Sequence, residues 1–175
     1  MSRKMIFFDI VGTITQDKTH FIPESTRTAL QQASANGHLL FVNTGRTFIA
    51  VDKDVRALPF DGYVTGCGTF IYYHVKQLLD HPLSHQVCRE VVENLRAWDI
   101  PVFYEGNDNL YYDPENPTPD WKYQVLLRNF KKDRFSHISM DEPFVFDKFL
   151  VFPKETSQMD AFEAYCQGKF TAIDR

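Results

Sequence analysis

Residues 5–8 read Met-Ile-Phe-Phe, apolar without a break, and stop at a carboxylate, Asp9. A short continuous apolar run predicts a strand buried on both faces, as in a parallel sheet. The turn Gly12-Thr13 follows it. Pro23 then opens a helical stretch with Leu30 and Ala33 on one face and Gly37 as its C-terminal cap. His38 to Val42 is a second apolar run, ending in Asn43-Thr44-Gly45-Arg46. Phe48, Val51, Val55 and Leu58 recur at helical spacing, so a helix is expected there, closed by Pro59. Tyr63-Val64-Thr65 is a third short strand ending at Gly66. The order β-α-β-α-β opens an α/β doubly wound parallel sheet.

After Gly66 the rhythm changes. Thr69 to Tyr73 and Gln77 to Asp80 read as a hairpin, and Leu83, Val87, Val91, Leu95 and Trp98 as an amphipathic helix. Val102 to Tyr104 and Leu110 to Tyr112 flank Gly106-Asn107-Asp108-Asn109, a second hairpin. The Pro-rich stretch 113–119 is a loop by composition. A helix is expected from Thr118 and Pro119 through Val125, Leu126 and Phe130, a strand over Phe144 to Phe152, a helix from Ser157 to Cys166 and a strand at Phe170 to Ile173. Residues 1–80 therefore read as one α/β unit and 81–170 as an α+β unit, with 171–175 beginning a return to the first.

Composition narrows the function. A chain of 175 residues buries roughly 70% of its unfolded surface, so no metal or disulfide is required for a core. Net charge is −4 and the basic run Lys131, Lys132, Arg134 is interrupted by Asp133; it reads as a solvated helix end, and nucleic acid is not an expected partner. Cys67, Cys88 and Cys166 are odd in number and widely spaced, the pattern of reduced thiols rather than a disulfide framework. Four apolar residues before Asp9 do not make a signal segment, and no run approaches the ~20 residues of a membrane helix, so a cytoplasmic protein without membrane contact is expected.

Ligands of open α/β sheets bind at the carboxyl ends of the strands. Asp9, the pair Thr44 and Arg46, and Gly66 with Gly68 all fall at such ends. A carboxylate, a hydroxyl and flexible backbone at one crevice suit phosphoryl transfer: the carboxylate attacks phosphorus, while the hydroxyl and backbone N–H groups hold its oxygens. Taken singly, Asp9 reads equally as a turn residue and Thr44 as a helix N-cap; their order and spacing together favour a site.

The segment Phe7-Phe8-Asp9-Ile10-Val11-Gly12-Thr13 resembles the first motif of the haloacid dehalogenase superfamily, Asp-x-Asp-Gly-Thr, and Asn43-Thr44-Gly45-Arg46 resembles its second motif in the form found in Cof-like sugar-phosphate phosphatases. The resemblance implies a Rossmann-like core with an α+β cap inserted after the third strand. It implies a Mg²⁺-dependent phosphohydrolase acting on a small phosphorylated metabolite through an aspartyl-phosphate. Asp9 would be the nucleophile and a Mg²⁺ ligand, the Val11 carbonyl a second ligand, and Thr44 a donor to the transferring phosphoryl group. Gly12, Thr13, Gly45 and Arg46 would line the substrate, Arg46 either near it or bracing the loop.

Two departures accompany the match. Val11 stands where the family has its second carboxylate, the group that protonates the leaving oxygen and activates water; losing such a group typically costs ~10²–10⁴ in rate. The family's Lys and acidic metal loop lie beyond the cap, whereas this sequence stops at Asp174-Arg175, so an N-terminal portion of the architecture with impaired activity is expected, alternatively a non-catalytic phospholigand-binding or structural remnant of that fold. Without those groups Asp9 and a phosphate meet uncompensated, a repulsion of roughly 4 kcal/mol per unit-charge pair at about 4 Å and a dielectric of about 20. The resembled fold also has its first strand at the centre of the sheet, so Met5 to Phe8 is expected on an open edge that self-associates, lowers solubility or takes up the chain's own C-terminal strand.

Other constellations are weaker. His81 and His85 lack a third metal ligand, and no partner activates the thiol of Gly66-Cys67-Gly68. Tyr72-Tyr73 and Tyr111-Tyr112 are expected to alternate across a sheet, and prolines interrupt any Ca²⁺ spacing of Asp113, Glu115 and Asp120.

Overall fold

The computed structural model describes residues 2–118 and 135–172. The expected helix through Val125, Leu126 and Phe130, the basic run 131–134, Asp120 and Ile173 lie outside the described residues. The chain forms two compact units, Met1–Pro82 and Leu83–Arg175.

The first unit is built on a five-stranded sheet in the order β1 (Met5–Phe8), β2 (Leu39–Asn43), β3 (Gly62–Thr65), β4 (Phe70–Tyr73), β5 (Lys76–Asp80). β1, β2 and β3 are parallel, and β4 and β5 return antiparallel as a hairpin. Helix α1 (Glu24–Ala35) makes the first crossover and ends at Asn36, with Gly37 at φ 81° beyond it. Both crossovers pack on one sheet face. Leu30 of α1, Val51, Val55 and Leu58 enclose Leu40 and Val42, with Ile6, Phe8 and Tyr63 against them.

The second crossover differs from the helix expected over Phe48 to Leu58. It is a single 3₁₀ turn, Phe48–Ala50, then a four-residue helix α2, Lys53–Arg56, with Val51 and Asp52 extended between them. All of Val51, Val55 and Leu58 still reach the core, so the period recorded a buried face without a continuous helix.

The opposite sheet face carries Met5, Phe7, Phe41 and Tyr73, the Phe7 and Phe41 rings 5.2 Å apart and Phe41 stacked on Tyr73 at 6.0 Å. Gly62 lies in this row, and a Cβ there would stand 2.3 Å from the Phe41 ring and from the Tyr72 carbonyl. Tyr72 points the other way, onto Phe48 at 5.0 Å, as the alternation predicts.

The second unit has a four-stranded sheet in the order β8 (Phe135–His137), β7 (Leu110–Tyr112), β6 (Val102–Glu105), β9 (Lys148–Val151). β6 runs antiparallel to both neighbours, and β8 lies parallel to β7. Helix α3 (His85–Ala97) buries Cys88, Val91, Val92 and Leu95 against it, its N-terminus capped by Ser84, whose hydroxyl accepts from Val87 N–H. Helix α4 (Met159–Cys166) closes the core through Phe162 and Tyr165.

Two expected strands are corrected here. Only Lys148–Val151 of the stretch 144–152 is strand; Phe144 and Phe146 are buried in irregular backbone. Phe146 N–H donates to Cys88 Sγ at 3.4 Å and the Cys88 thiol donates to the Phe146 carbonyl at 3.6 Å, so these groups are satisfied without a sheet partner. Phe170 to Ala172 is not strand either: Phe170 N–H donates to the Cys166 carbonyl at the end of α4, and the Phe170 ring packs on Phe149 at 5.5 Å.

Candidate active site at the carboxyl edge of the parallel strands

The register of the parallel strands sets the site. Phe8 lies beside Val42, so the next residue, Asp9, falls beside Asn43, which itself lies beside Val64. Thr44 continues the ladder by donating its N–H to the Val64 carbonyl at 2.9 Å. Asp9, Thr44 and Thr65 thus leave the sheet on one edge within a residue of each other along the strand direction.

The chain turns sharply after Asp9. The Ile10 carbonyl accepts from the N–H groups of Ile14 and Thr15 at 3.0 and 2.9 Å and from the Thr15 hydroxyl at 3.1 Å. Gly12 takes φ 77° and donates its N–H to the Thr15 carbonyl, so its contribution is the turn and not a free donor. A Cβ at Gly12 would lie 2.6 Å from Asp17 Oδ1. Asp17 is thus a carboxylate against this loop that no sequence pattern marked. Residues Gly12 to Asp17 and Pro23 line a shallow depression of about 300 Å³. Asp9, Val11 and Thr13 are exposed, and the Val11 carbonyl accepts no hydrogen bond among the described residues.

Thr44 is 8% exposed, and its Oγ1 accepts the Arg46 N–H at 3.2 Å. One lone pair is thereby held while the hydroxyl proton stays available for an acceptor in the crevice. Arg46 ties the loop to its neighbours: its guanidinium meets Asp52 at 3.1 Å and its carbonyl accepts from Gly66 N–H at 2.8 Å. Both contacts hold the Thr44-Gly45-Arg46 loop against its neighbours. The third strand end curls through Gly66–Gly68, with Cys67 at φ 60° and its thiol directed at the Gly45 carbonyl, 3.9 Å away. Thr47 and Thr65 beneath these loops are fully buried, and their hydroxyls have no partner among the described residues.

A divalent cation would find Asp9 and the Val11 carbonyl here. These are hard oxygen donors of the kind Mg²⁺ takes, alongside waters and substrate phosphate. No cluster of three His, Cys, Asp or Glu that could hold a metal occurs among the described residues, so these two oxygens are a partial ligand set. His85, half of the histidine pair, instead packs edge-on against Phe144 at 5.6 Å. Asp113, of the acidic loop, is sealed in a two-pronged bond to Arg96 at 2.8 and 2.9 Å, which raises the guanidinium pKa further.

Residues 6–174 match the family model of haloacid dehalogenase-like hydrolases, and the chain belongs to that family, with the fold of its Cof-like members. Among curated proteins it is 29% identical over 110 residues to YkrA of Bacillus subtilis, covering 63% of this chain and 42% of that protein. It is 31% identical over 121 residues to the pyridoxal phosphate phosphatase YbhA of Escherichia coli, covering 67% of this chain and 43% of that one. The chain therefore spans about two-fifths of the length of these two relatives. A solved structure of a hypothetical protein from Geobacillus kaustophilus HTA426 superposes with a TM-score of 0.78 at 19% identity, covering 99% of this chain and 66% of that one. No helix among the described residues is long and apolar enough to cross a membrane.

Proposed function

We propose that the chain carries the phosphoryl-binding part of a Mg²⁺-dependent phosphohydrolase for a small phosphorylated metabolite of the sugar-phosphate or pyridoxal-phosphate kind, with hydrolysis impaired. The observation that carries this is the parallel register that brings Asp9 and the Thr44-Gly45-Arg46 loop to one sheet edge. Asp9 is the nucleophile, Thr44 donates its hydroxyl to the phosphoryl oxygens, Thr13 and Gly45 line the group, and Arg46 holds the loop shape. Mg²⁺, held by Asp9 and the Val11 carbonyl, would supply charge neutralisation of the phosphate. The second unit, from about residue 81, serves as the cap that supplies substrate contacts.

Impairment rests on Val11. Val11 is 38% exposed and stands where the family motif has its second carboxylate, and its side chain neither donates nor accepts a proton. A second reading, phospholigand binding without turnover, is favoured by the same residue together with the partial metal set.

Hydrolysis of p-nitrophenyl phosphate with Mg²⁺ separates the readings. The expected result is no turnover above background for this chain or for Val11→Asp, because the acid alone does not complete the metal site. Robust turnover of the unaltered chain that vanishes in Asp9→Asn would overturn the impairment. Turnover in Val11→Asp alone would show that the acid was the only missing part.

A further inference from the structure

Three threonines, Thr44, Thr47 and Thr65, stand where β2 and β3 end, and only one of their hydroxyls is bonded to protein among the described residues. Thr44 Oγ1 accepts the Arg46 N–H. Thr47 and Thr65 are both 0% exposed, and neither hydroxyl has a partner among the described residues. Each precedes a 3₁₀ turn, Phe48–Ala50 and Gly66–Gly68, at the position where a threonine ordinarily accepts an N–H of the turn. Neither does so. The Thr47 N–H also donates to no group among the described residues. Nearby threonines behave differently: Thr69 Oγ1 donates to the Gly66 carbonyl at 2.9 Å and Thr15 Oγ1 to the Ile10 carbonyl at 3.1 Å. A buried hydroxyl left unpaired destabilises a fold, and a valine of the same shape would serve better than a dry threonine.

Backbone geometry brings the two buried threonines together. The Arg46 carbonyl accepts the Gly66 N–H at 2.8 Å, and this bond joins the peptide group that leads into Thr47 to the one that leaves Thr65. Covalent geometry then keeps the two Cα atoms within about 8 Å of each other. The hydroxyls do not bond each other directly. One water, at about 2.8 Å from each oxygen, can join hydroxyls up to roughly 5.6 Å apart.

We propose that an enclosed water is built into the fold at this point, hydrogen-bonded to the Thr47 and Thr65 hydroxyls and to the Thr47 N–H, where it locks the Thr44-Gly45-Arg46 loop to the end of β3. Three partners are the usual complement of a buried water: it accepts from the Thr47 N–H and from one hydroxyl and donates to the other. Beyond the bond of Thr44 N–H to the Val64 carbonyl, the loop otherwise meets the end of β3 through the Arg46–Gly66 bond and the long contact of the Cys67 thiol with the Gly45 carbonyl. A water beside the Arg46–Gly66 bond ties both flanking residues and fixes where Thr44 presents its hydroxyl. Thr47 and Thr65 are thus positioning residues. That the loop receives a phosphoryl group rests on the proposed function; the water does not.

Cross-relaxation with water in the isotope-labelled 175-residue chain reads the site directly. The Thr47 amide and the methyl groups of Thr47 and Thr65 should show cross-peaks of the sign that marks a long-resident water. Thr47→Val should abolish the cross-peak at Thr65, and Thr65→Val those at Thr47, whereas proton exchange of each hydroxyl alone would leave the other residue's cross-peak in place. The Gly66 amide should exchange about fivefold to tenfold faster in either valine variant. It should exchange no faster again in the double variant and near the unaltered rate in Thr47→Ser and Thr65→Ser, while the amides of α1 keep their rates throughout. A Gly66 amide that exchanges as slowly as before, or more slowly, in the valine variants would show the hydroxyls to be dry. Effects that multiply in the double variant, or a matching acceleration in α1, equally overturn the proposal. Absence of the cross-peaks from the unaltered chain overturns it alone, whether or not the variants fold.

Discussion

The two units hold their sheets together by opposite means. In the first, the crossovers cover one sheet face, and the other is a row of rings that ends in exposed Phe7 and Met5. In the second, α3 and α4 close over a core in which Tyr104 and Phe146 are essentially sealed from solvent, and the loop after β7 is pinned by Arg96 to the buried carboxylate of Asp113. Asn116, also buried, donates from its side chain to the carbonyls of Leu95 and Ile100 and ties that loop to the end of α3. The difference agrees with the site proposed for the first unit. The unit with the strand-end carboxylate and hydroxyl keeps exposed backbone and open loops, as a ligand site requires, while the second is consolidated as a packed body.

The contrast predicts that the second unit depends more steeply on single core side chains. Phe146→Ala removes a ring packed 4.5 Å from Tyr104 and stacked on Phe144, and should cost about 3–5 kcal/mol. Both tryptophans, Trp98 and Trp121, belong to the second unit's span, so denaturant melting followed by their fluorescence reads it selectively. Exchange protection in β2 should stay unchanged; loss of both together would show that the units are not independent.

A smaller effect is expected in the first unit from Gly62→Ala. The added methyl meets both the Phe41 ring and a backbone carbonyl, and only the ring can yield, for an expected cost of about 1–3 kcal/mol read from exchange of the β2 and β3 amides. A neutral effect would mean that the ring row on the open face is loosely packed.

The smallest and most graded effect is with pH. Burial raises the pKa of the Cys88 thiol and of the Tyr104 hydroxyl above their ordinary values of 9.0 and 10.0. The folded unit retains these protons where the unfolded chain releases them, so their contribution is intact below those values and stability falls as pH rises through them. The slope is at most about 1.4 kcal/mol per pH unit for each group. Cys88→Ala should abolish the part beginning near 9, with denaturant midpoints at stepped pH as the readout.

Much of the first unit was legible in the sequence for a physical reason. Uninterrupted apolar runs ended by Asp9, Asn43 and Gly66 mark parallel strands, and parallel strands deliver their ends to one edge. The break at Val51 and Asp52 was not legible, because hydrophobic period reports which face is buried and not whether the helix continues. Phe144 and Phe146 looked like strand because they are apolar, yet the sulfur of Cys88, distant in sequence, satisfies the Phe146 backbone. Phe170 was misread for a similar reason: its ring belongs to the cluster around Phe149 and Tyr165. The approach of Asp17 to Gly12 left no pattern at all, since it depends on the path of an irregular loop. The ion pair of Arg46 with Asp52 left no pattern in the sequence either.

On the function proposed above, the strand-end loops of the first unit receive a phosphoryl group. The most direct test of this is a ¹H–¹⁵N titration of this chain with inorganic phosphate in the presence of Mg²⁺. Saturable shifts centred on Val11, Thr13, Thr44, Gly45 and Arg46 are expected, reduced in Thr44→Val. Shifts confined to residues beyond Pro82, or none at any phosphate concentration, would contradict it.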